Sequence, residues 1–195
     1  MKIISYIFTS LFLVFFTFFG LAIYVLWHYG KDLPEYRKLA KYEPSVVTRV
    51  HAGNGALLAE FAKQKRVFVP IDVIPQNIIN AFLSAEDKDF YDHFGIDLQA
   101  TLRALIVNLK NYGTGRRLVG ASTITQQVAK NFLLTSEVSF ERKIKEAILA
   151  IRIERAFTKN QILELYLNEI YLGNNSYGVA AAALNYFDKS LDDLD

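Results

Sequence analysis

Three short stretches carry side chains whose types and spacing suit chemistry. The first runs from Ala85 to Gly95 and contains Glu86, Asp87, Asp89, Phe90 and His93. Stepping by four from Phe82 along a helix reaches Glu86 and then Phe90, with His93 three further on. Glu86 then lies in the apolar stripe of Ile78, Ile79, Phe82, Leu83 and Phe90, whereas Asp87 and Asp89 do not. Desolvation in such a seam disfavours a carboxylate's charged form, one route by which a Glu becomes a proton acceptor near neutral pH. The plainer alternative is a stripe-edge Glu that reaches water or pairs with a nearby cation.

The second stretch, Gly120 to Lys130, opens with small residues and offers Ser122 or Thr123 as a helix N-cap. A helix start presents free backbone N–H groups and a positive dipole end, which suits an anion such as a phosphate. Ser122, Gln126 and Lys130 recur every four residues as one polar stripe, while Ile124, Val128, Phe132 and Leu133 are expected to pack inward. A solvated face would show the same stripe. The third stretch is Phe140 to Glu154, with a buried face expected at Phe140, Ile144, Ala147, Ile148 and Ile151. Glu146 has Arg142 at i−4 and Lys143 at i−3. That is either a surface ion-pair ladder, worth only ~0.3–0.5 kcal/mol per pair, or a carboxylate held ionised by two cations that could assist a leaving diphosphate.

The elements that must position these residues read as helices. From Pro75 onward apolar residues recur at three and four, predicting helices over 76–92, 97–111, 122–134, 139–157, 159–171 and 176–187. Thr158 and Gln161 form a capping box, and Gly173 sits where a helix C-cap glycine belongs. Residues 111–118, with two glycines and two arginines, read as a mobile loop. Before Pro75 the runs Ser45–His51 and Ala56–Phe61 flank Asn54-Gly55, a strong hairpin signal. A third run, Arg66–Ile71, is expected to extend that sheet.

Of the 195 residues, 52% are hydrophobic, and the excess is concentrated between Ile3 and Trp27, where no charge occurs. A helix of roughly 20 apolar residues crosses a bilayer core. The apolar region of a cleaved signal is only ~7–15 residues long, so a retained anchor is expected here. With Lys2 before the span and the bulk of the chain after it, the expectation is N-terminus inside, domain outside, and Trp27, His28 and Tyr29 in the outer aromatic belt. The chain divides accordingly into an anchor (1–29), a charged juxtamembrane connector (30–44) and a mainly α domain (45–195) with a small β-hairpin where it begins. There is no cysteine, which excludes disulfides and thiolate metal sites, and a net charge of +2 is too small to argue for nucleic acid.

Taken together the stretches resemble one family, the glycosyltransferase domain of class A penicillin-binding proteins and their monofunctional relatives. Its Glu-Asp-x-x-Phe-x-x-His-x-Gly pattern is met by Glu86, Asp87, Phe90, His93 and Gly95. Its Gly-Gly-Ser-Thr-Ile-Thr-Gln-Gln pattern is met from Gly120 to Gln127, with Ala121 for the second glycine. Arg-Lys-x-x-Glu is met by Arg142, Lys143 and Glu146. A fourth motif matches Lys159, Ile162, Leu163, Glu164, Tyr166, Leu167, Asn168, Ile170, Tyr171, Leu172 and Gly173, and Gly178 to Lys189 is similar to an Ala-rich helix with Asp188 where glycine is usual.

The resemblance implies a lysozyme-like helical fold, a bacterial cytoplasmic-membrane location with the domain on the outer side, and polymerisation of lipid II into glycan strands. Glu86 would be the base that deprotonates the acceptor 4-hydroxyl, and Glu146 would assist at the donor site. Ser122, Thr123, Gln126, Gln127, Lys130, Arg142 and Lys143 would hold sugar and diphosphate. Partners implied are lipid II, the growing strand, the inner membrane and other cell-wall synthesis proteins. No cofactor is required, although a divalent cation, Mg or Mn, would suit the diphosphate; no ligand cluster in the sequence demands one. Two departures stand out. Val138 occupies a position where many relatives carry Arg, and the family continues beyond Asp195, so the chain is expected to be an N-terminal fragment. A muramidase-type hydrolase and a non-catalytic envelope scaffold are the competing readings. The cationic set argues against the first, since a hydrolase has no anionic leaving group to hold, and the presence of both Glu86 and Glu146 argues against the second.

Overall fold

The uncharged N-terminal run is helical throughout in the computed structural model, which describes residues 2–42, 48–55, 57–61, 65–135 and 137–194. Helix α1 (Lys2–Gly30) contains a span, Phe8–Gly30, of mean hydropathy 2.2 with none of its most apolar window buried against the rest of the chain. Its length and composition suit a bilayer crossing. Inside it the Thr17 hydroxyl donates to the Leu13 carbonyl at 2.8 Å, so the helix satisfies its own polar group. At its end Arg152 Nη2 donates to the Gly30 carbonyl at 3.0 Å. A 3-10 turn at Tyr36–Lys41 follows and buries Leu39.

The expected hairpin is present as β1 (Thr48–His51) antiparallel to β2 (Leu57–Phe61), with a bulge between Val50 and His51. The portions of the two predicted runs at 45–47 and 56 lie outside the described residues. The third run does not extend this sheet. Its first residue belongs to β3 (Lys65–Arg66), which pairs in parallel with β4 (Ser176–Tyr177) instead. Beyond β3 the backbone is taken up by side chains of α6 (Lys159–Glu169). Asn168 accepts from Val69 N at 2.8 Å and returns a bond to Val69 O at 2.9 Å, and Glu164 accepts from Ile71 N at 2.8 Å. Glu164 and Asn168 stand four apart on one helix face, so together they replace a neighbouring strand.

The remaining helices are α2 (Gln76–Glu86), α3 (Leu98–Lys110), α4 (Ile124–Leu133), α5 (Phe140–Ala156) and α7 (Val179–Phe187). The domain is mainly helical, as expected. The core is built where α4 packs on α5 and α6. Ile124, Leu149, Ile153, Ile162, Leu163 and Leu167 are fully shielded there, together with Phe90. Thr158 and Gln161 form their capping box.

Four expectations change. Helix α2 stops at Glu86 rather than 92, because Asp87 (φ −160°, ψ 75°) leaves helical geometry. Helix α6 stops at Glu169, so Gly173 lies in the following turn rather than at its cap. Helix α7 begins three residues late, because Ser176 and Tyr177 are in β4 and Gly178 has φ +82° with its Cα against Asn168; an added Cβ would stand 2.7 Å from the Asn168 carbonyl oxygen. Helix α5 buries Glu146, Ile148, Leu149, Ala150, Ile153 and Glu154; of the expected face Ile148 is buried, Ile144, Ala147 and Ile151 are half-buried, and Phe140 is 81% exposed. It packs against α4 and α6 on one side and α1 and the Tyr36–Lys41 turn on another. Apolar residues therefore occupy more than one face, and the expected stripe is only part of what α5 buries. At the end of α7, Asp188 adopts the left-handed cap (φ 53°, ψ 37°), a conformation its short polar side chain tolerates.

If Asn168 stands in for a strand, Asn168→Ala should lower stability by about 1–3 kcal/mol, since it leaves Val69 N–H and C=O without partners. Thermal or denaturant unfolding measures this, and an unchanged midpoint would contradict it.

Candidate active site

Glu86 is the last residue of α2, and its side chain is exposed rather than sunk in an apolar seam. Glu86 lies outside the expected apolar seam because the helix ends there and the next residue turns inward. Asp87 is the buried one, at 7% exposure. Its Oδ2 accepts from Ile124 N at 2.9 Å, and its two oxygens lie 2.9 and 3.0 Å from His93 Nε2. Gly95 N donates to His93 Nδ1 at 3.2 Å, so the ring proton faces Asp87. The Gly95 carbonyl in turn accepts from Thr123 Oγ1 at 2.7 Å. Gly95 has φ +87°, and a Cβ there would stand 2.9 Å from Ala150 backbone atoms, so no other residue fits without displacement.

The start of α4 is therefore occupied. Thr123 is the N-cap, accepting from Gln126 N, while Gln126 Oε1 accepts from Thr123 N. The chain's own Asp87 carboxylate takes the Ile124 N–H. The expected phosphate site at this helix end is filled by a protein carboxylate, and Thr123, at 2% exposure, acts as a cap within the structure. What the clamp does is set Glu86 beside α4, where Gln127 Nε2 donates to Glu86 Oε2 at 2.7 Å.

Glu86 and Gln127 face a cavity of about 330 Å³ that also takes in Ser122, Gln126, Lys130, Lys143 and Glu146. The sequence-predicted site residues thus converge, Thr123 and Arg142 excepted. Arg142 lines an adjoining cleft of about 640 Å³, which shares Lys130 and Lys143 with the first and adds Val138, Glu169, Tyr171 and Tyr177. The two form one groove, with the Glu86 carboxylate toward one end and the cations toward the other.

The Arg142–Lys143–Glu146 set is not a surface ladder. Glu146 is 1% exposed, with Arg142 Nη1 at 2.7 Å from Oε1 and Lys143 Nζ at 2.5 Å from Oε2. Lys143 Nζ also donates to Ser122 Oγ at 2.9 Å, joining α5 to the segment before α4. A buried carboxylate of this kind keeps two cations oriented, and removing it would leave them uncompensated. Among the described residues the Lys130 ammonium has no carboxylate within ion-pair distance, and the buried Nε of Arg142 has no partner. Val138 is 88% exposed and supplies no charge to the cleft it lines.

A second network underlies the first. Glu154 Oε1 accepts from Thr125 Oγ1 at 2.6 Å and from Lys159 Nζ at 2.7 Å. Lys159 also donates to the His93 carbonyl at 2.8 Å and lies 4.4 Å from the Phe90 ring centre. Burial, reinforced by the Glu86 and Asp87 carboxylates, pushes the Tyr166 phenol well above its ordinary range. Asp87, His93, Thr125, Glu154 and Lys159 are supporting residues that spacing alone did not single out, because their partners lie in other helices. Among the described residues no group of three or more His, Asp or Glu is placed to hold a metal ion.

The profile of the family described as Transglycosylase matches residues 54–195, which takes in every residue of this groove. The chain belongs to the transglycosylase family. It is 57% identical over 175 residues to penicillin-binding protein 1A of Rickettsia felis, covering 90% of this chain and 22% of that protein. The corresponding protein of Aquifex aeolicus is 50% identical over 177 residues (91% and 24%), and that of Neisseria lactamica 45% over 174 (89% and 21%). The chain thus spans about a quarter or less of the length of these curated relatives.

The clamp and the exposed carboxylate should separate under mutation. Asp87→Ala leaves the Ile124 N–H and His93 without their acceptor and should lower stability by about 1–3 kcal/mol. Glu86→Gln, at an exposed position, should change it by no more than about 0.5 kcal/mol. Comparable losses in the two variants by thermal unfolding would contradict this division of labour.

Proposed function

We propose that this transglycosylase is a peptidoglycan glycosyltransferase that polymerises lipid II into β-1,4 glycan strands with inversion at the donor C1. The observation that carries the reading is the groove itself, whose lining brings the Glu86 carboxylate together with Lys130 and Lys143 and continues through those two to Arg142. In the reaction, Glu86 takes the proton of the acceptor 4-hydroxyl as that oxygen attacks C1 of the lipid-linked donor. The bond from C1 to the diphosphate oxygen breaks, and undecaprenyl diphosphate leaves with both electrons. Negative charge grows on the leaving group, where fixed cations lower the barrier.

Each residue then has a task. Gln127 orients Glu86, and Ser122 and Gln126 offer hydrogen-bonding groups to the sugars. Lys130, Arg142 and Lys143 meet the diphosphate, in the absence of a cation at Val138. Glu146 assists at the donor site by holding Arg142 and Lys143 in place. Thr123 serves the substrate indirectly, as the cap of α4. The anchor (1–29) and connector (30–44) keep the domain (45–195) at the outer face of the cytoplasmic membrane, where a substrate with a lipid tail is found.

Glu86→Gln in detergent should reduce polymerisation of labelled lipid II by about 10²–10⁴-fold, the usual contribution of a general base. Gel separation of glycan strands measures it. Normal chain growth by this variant would remove Glu86 as the base, and release of fragments from preformed glycan without chain growth would replace the reading with a hydrolase.

A further inference from the structure

Four separate pieces of chain meet behind the cationic end of the groove, at a group that the chemistry above does not use. Arg66, in β3, pairs with Glu169, the last residue of α6, through both guanidinium nitrogens: Nη1 to Oε2, and Nη2 to Oε1 at 2.8 Å. The pair is largely shielded, with side chains 10% and 14% exposed. Tyr42, which follows the 3-10 turn of the connector, donates to Glu169 Oε2 at 2.8 Å and accepts from Arg66 Nη1 at 3.0 Å. Burial and the adjacent Glu169 carboxylate push the Tyr42 phenol up to about 12, so it stays a donor throughout the physiological range. The other face of the guanidinium lies 4.7 Å from the ring centre of Tyr177, and Tyr177 bridges to Tyr171 by backbone with ring centres 5.0 Å apart.

Glu169, Tyr171 and Tyr177 are wall residues of the cleft that holds Lys130 and Arg142. Tyr42 also meets Phe132 of α4 edge-on at 4.9 Å, close in sequence to Lys130. A planar, doubly bonded guanidinium transmits geometry that a lysine ammonium cannot, because two parallel bonds and ring stacking fix its plane.

We propose that Arg66 is a positioning residue for the donor end of the groove: it holds the Tyr171–Tyr177 wall in register with Lys130 and Arg142 and ties that wall to the segment behind the membrane anchor. The substrate named for it rests on the lipid II reading; its geometry does not. None of the contacts given above for Arg66 involves Glu86, so the base should be untouched when Arg66 is changed.

The test uses the detergent-solubilised protein with its anchor, comparing wild type, Arg66→Met and Arg66→Lys by amide hydrogen exchange and by steady-state polymerisation of labelled lipid II. In Arg66→Met, exchange over 170–178 should rise several-fold with 84–90 unchanged. KM for lipid II should rise about tenfold while kcat stays within about twofold, the pattern of lost uniform binding from a charge-assisted contact. Arg66→Lys should recover only part of the KM, and it carries the test if the Met variant fails to fold. Unchanged exchange over 170–178, or a fall in kcat with KM unchanged, overturns the proposal. Faster exchange there in a protein whose wild type does not polymerise lipid II overturns the substrate reading and leaves the positioning role standing.

Discussion

Asp87 is a carboxylate placed against the first turn of another helix, and most of the groove follows from that contact. It accepts the Ile124 N–H at the positive end of α4 and the ring proton of His93, so two elements far apart in sequence are locked at one point. The lock ends α2 at Glu86 and leaves that side chain outside, next to Gln127. His93 then fixes Gly95, and Gly95 brings the loop against both Thr123 and Ala150. In the proposed reaction, an exposed carboxylate on a fixed backbone can act as the base because its position is determined, without needing burial of its own.

The other end of the groove depends on the opposite device, a carboxylate that is buried. Glu146 alone would be costly to bury, and Arg142 and Lys143 alone would repel one another. As a set they present cationic groups toward the groove while the negative partner stays underneath. Beneath both ends run further charge pairs, Glu154 with Lys159 and Arg66 with Glu169, each linking elements distant in sequence. The charges of the groove are thus seated on structural ones.

How much of this is legible in the residues alone depends on the range of the interaction. Helices α3 to α6 and the Thr158–Gln161 cap follow local periodicity and end within a few residues of expectation. The groove residues Glu86, Ser122, Gln126, Gln127, Lys130, Lys143 and Glu146 were found by spacing and resemblance, and they do share one cavity. What local pattern missed is what tertiary contacts decide. The Arg66–Ile71 run has strand-like composition, yet Asn168 and Glu164 capture its backbone from across the chain. Asp87 looked like the exposed neighbour of a buried Glu86; a helix end reverses the two, and periodicity cannot register a helix end imposed by a partner 37 positions away. The same limit explains α5, whose apolar residues serve two packing surfaces and so offer two candidate stripes.

The central claim is that one groove takes a base at Glu86 and an anionic group at Lys130, Arg142 and Lys143, with the start of α4 closed by Asp87. A structure of the protein with a non-reactive lipid-linked diphosphosugar bound tests this most directly. The account predicts the diphosphate among those three cations, the sugar C1 turned toward Glu86, and Asp87 still bonded to Ile124 N. A diphosphate seated at the start of α4 in place of the Asp87 carboxylate, or bound outside the groove, would contradict it.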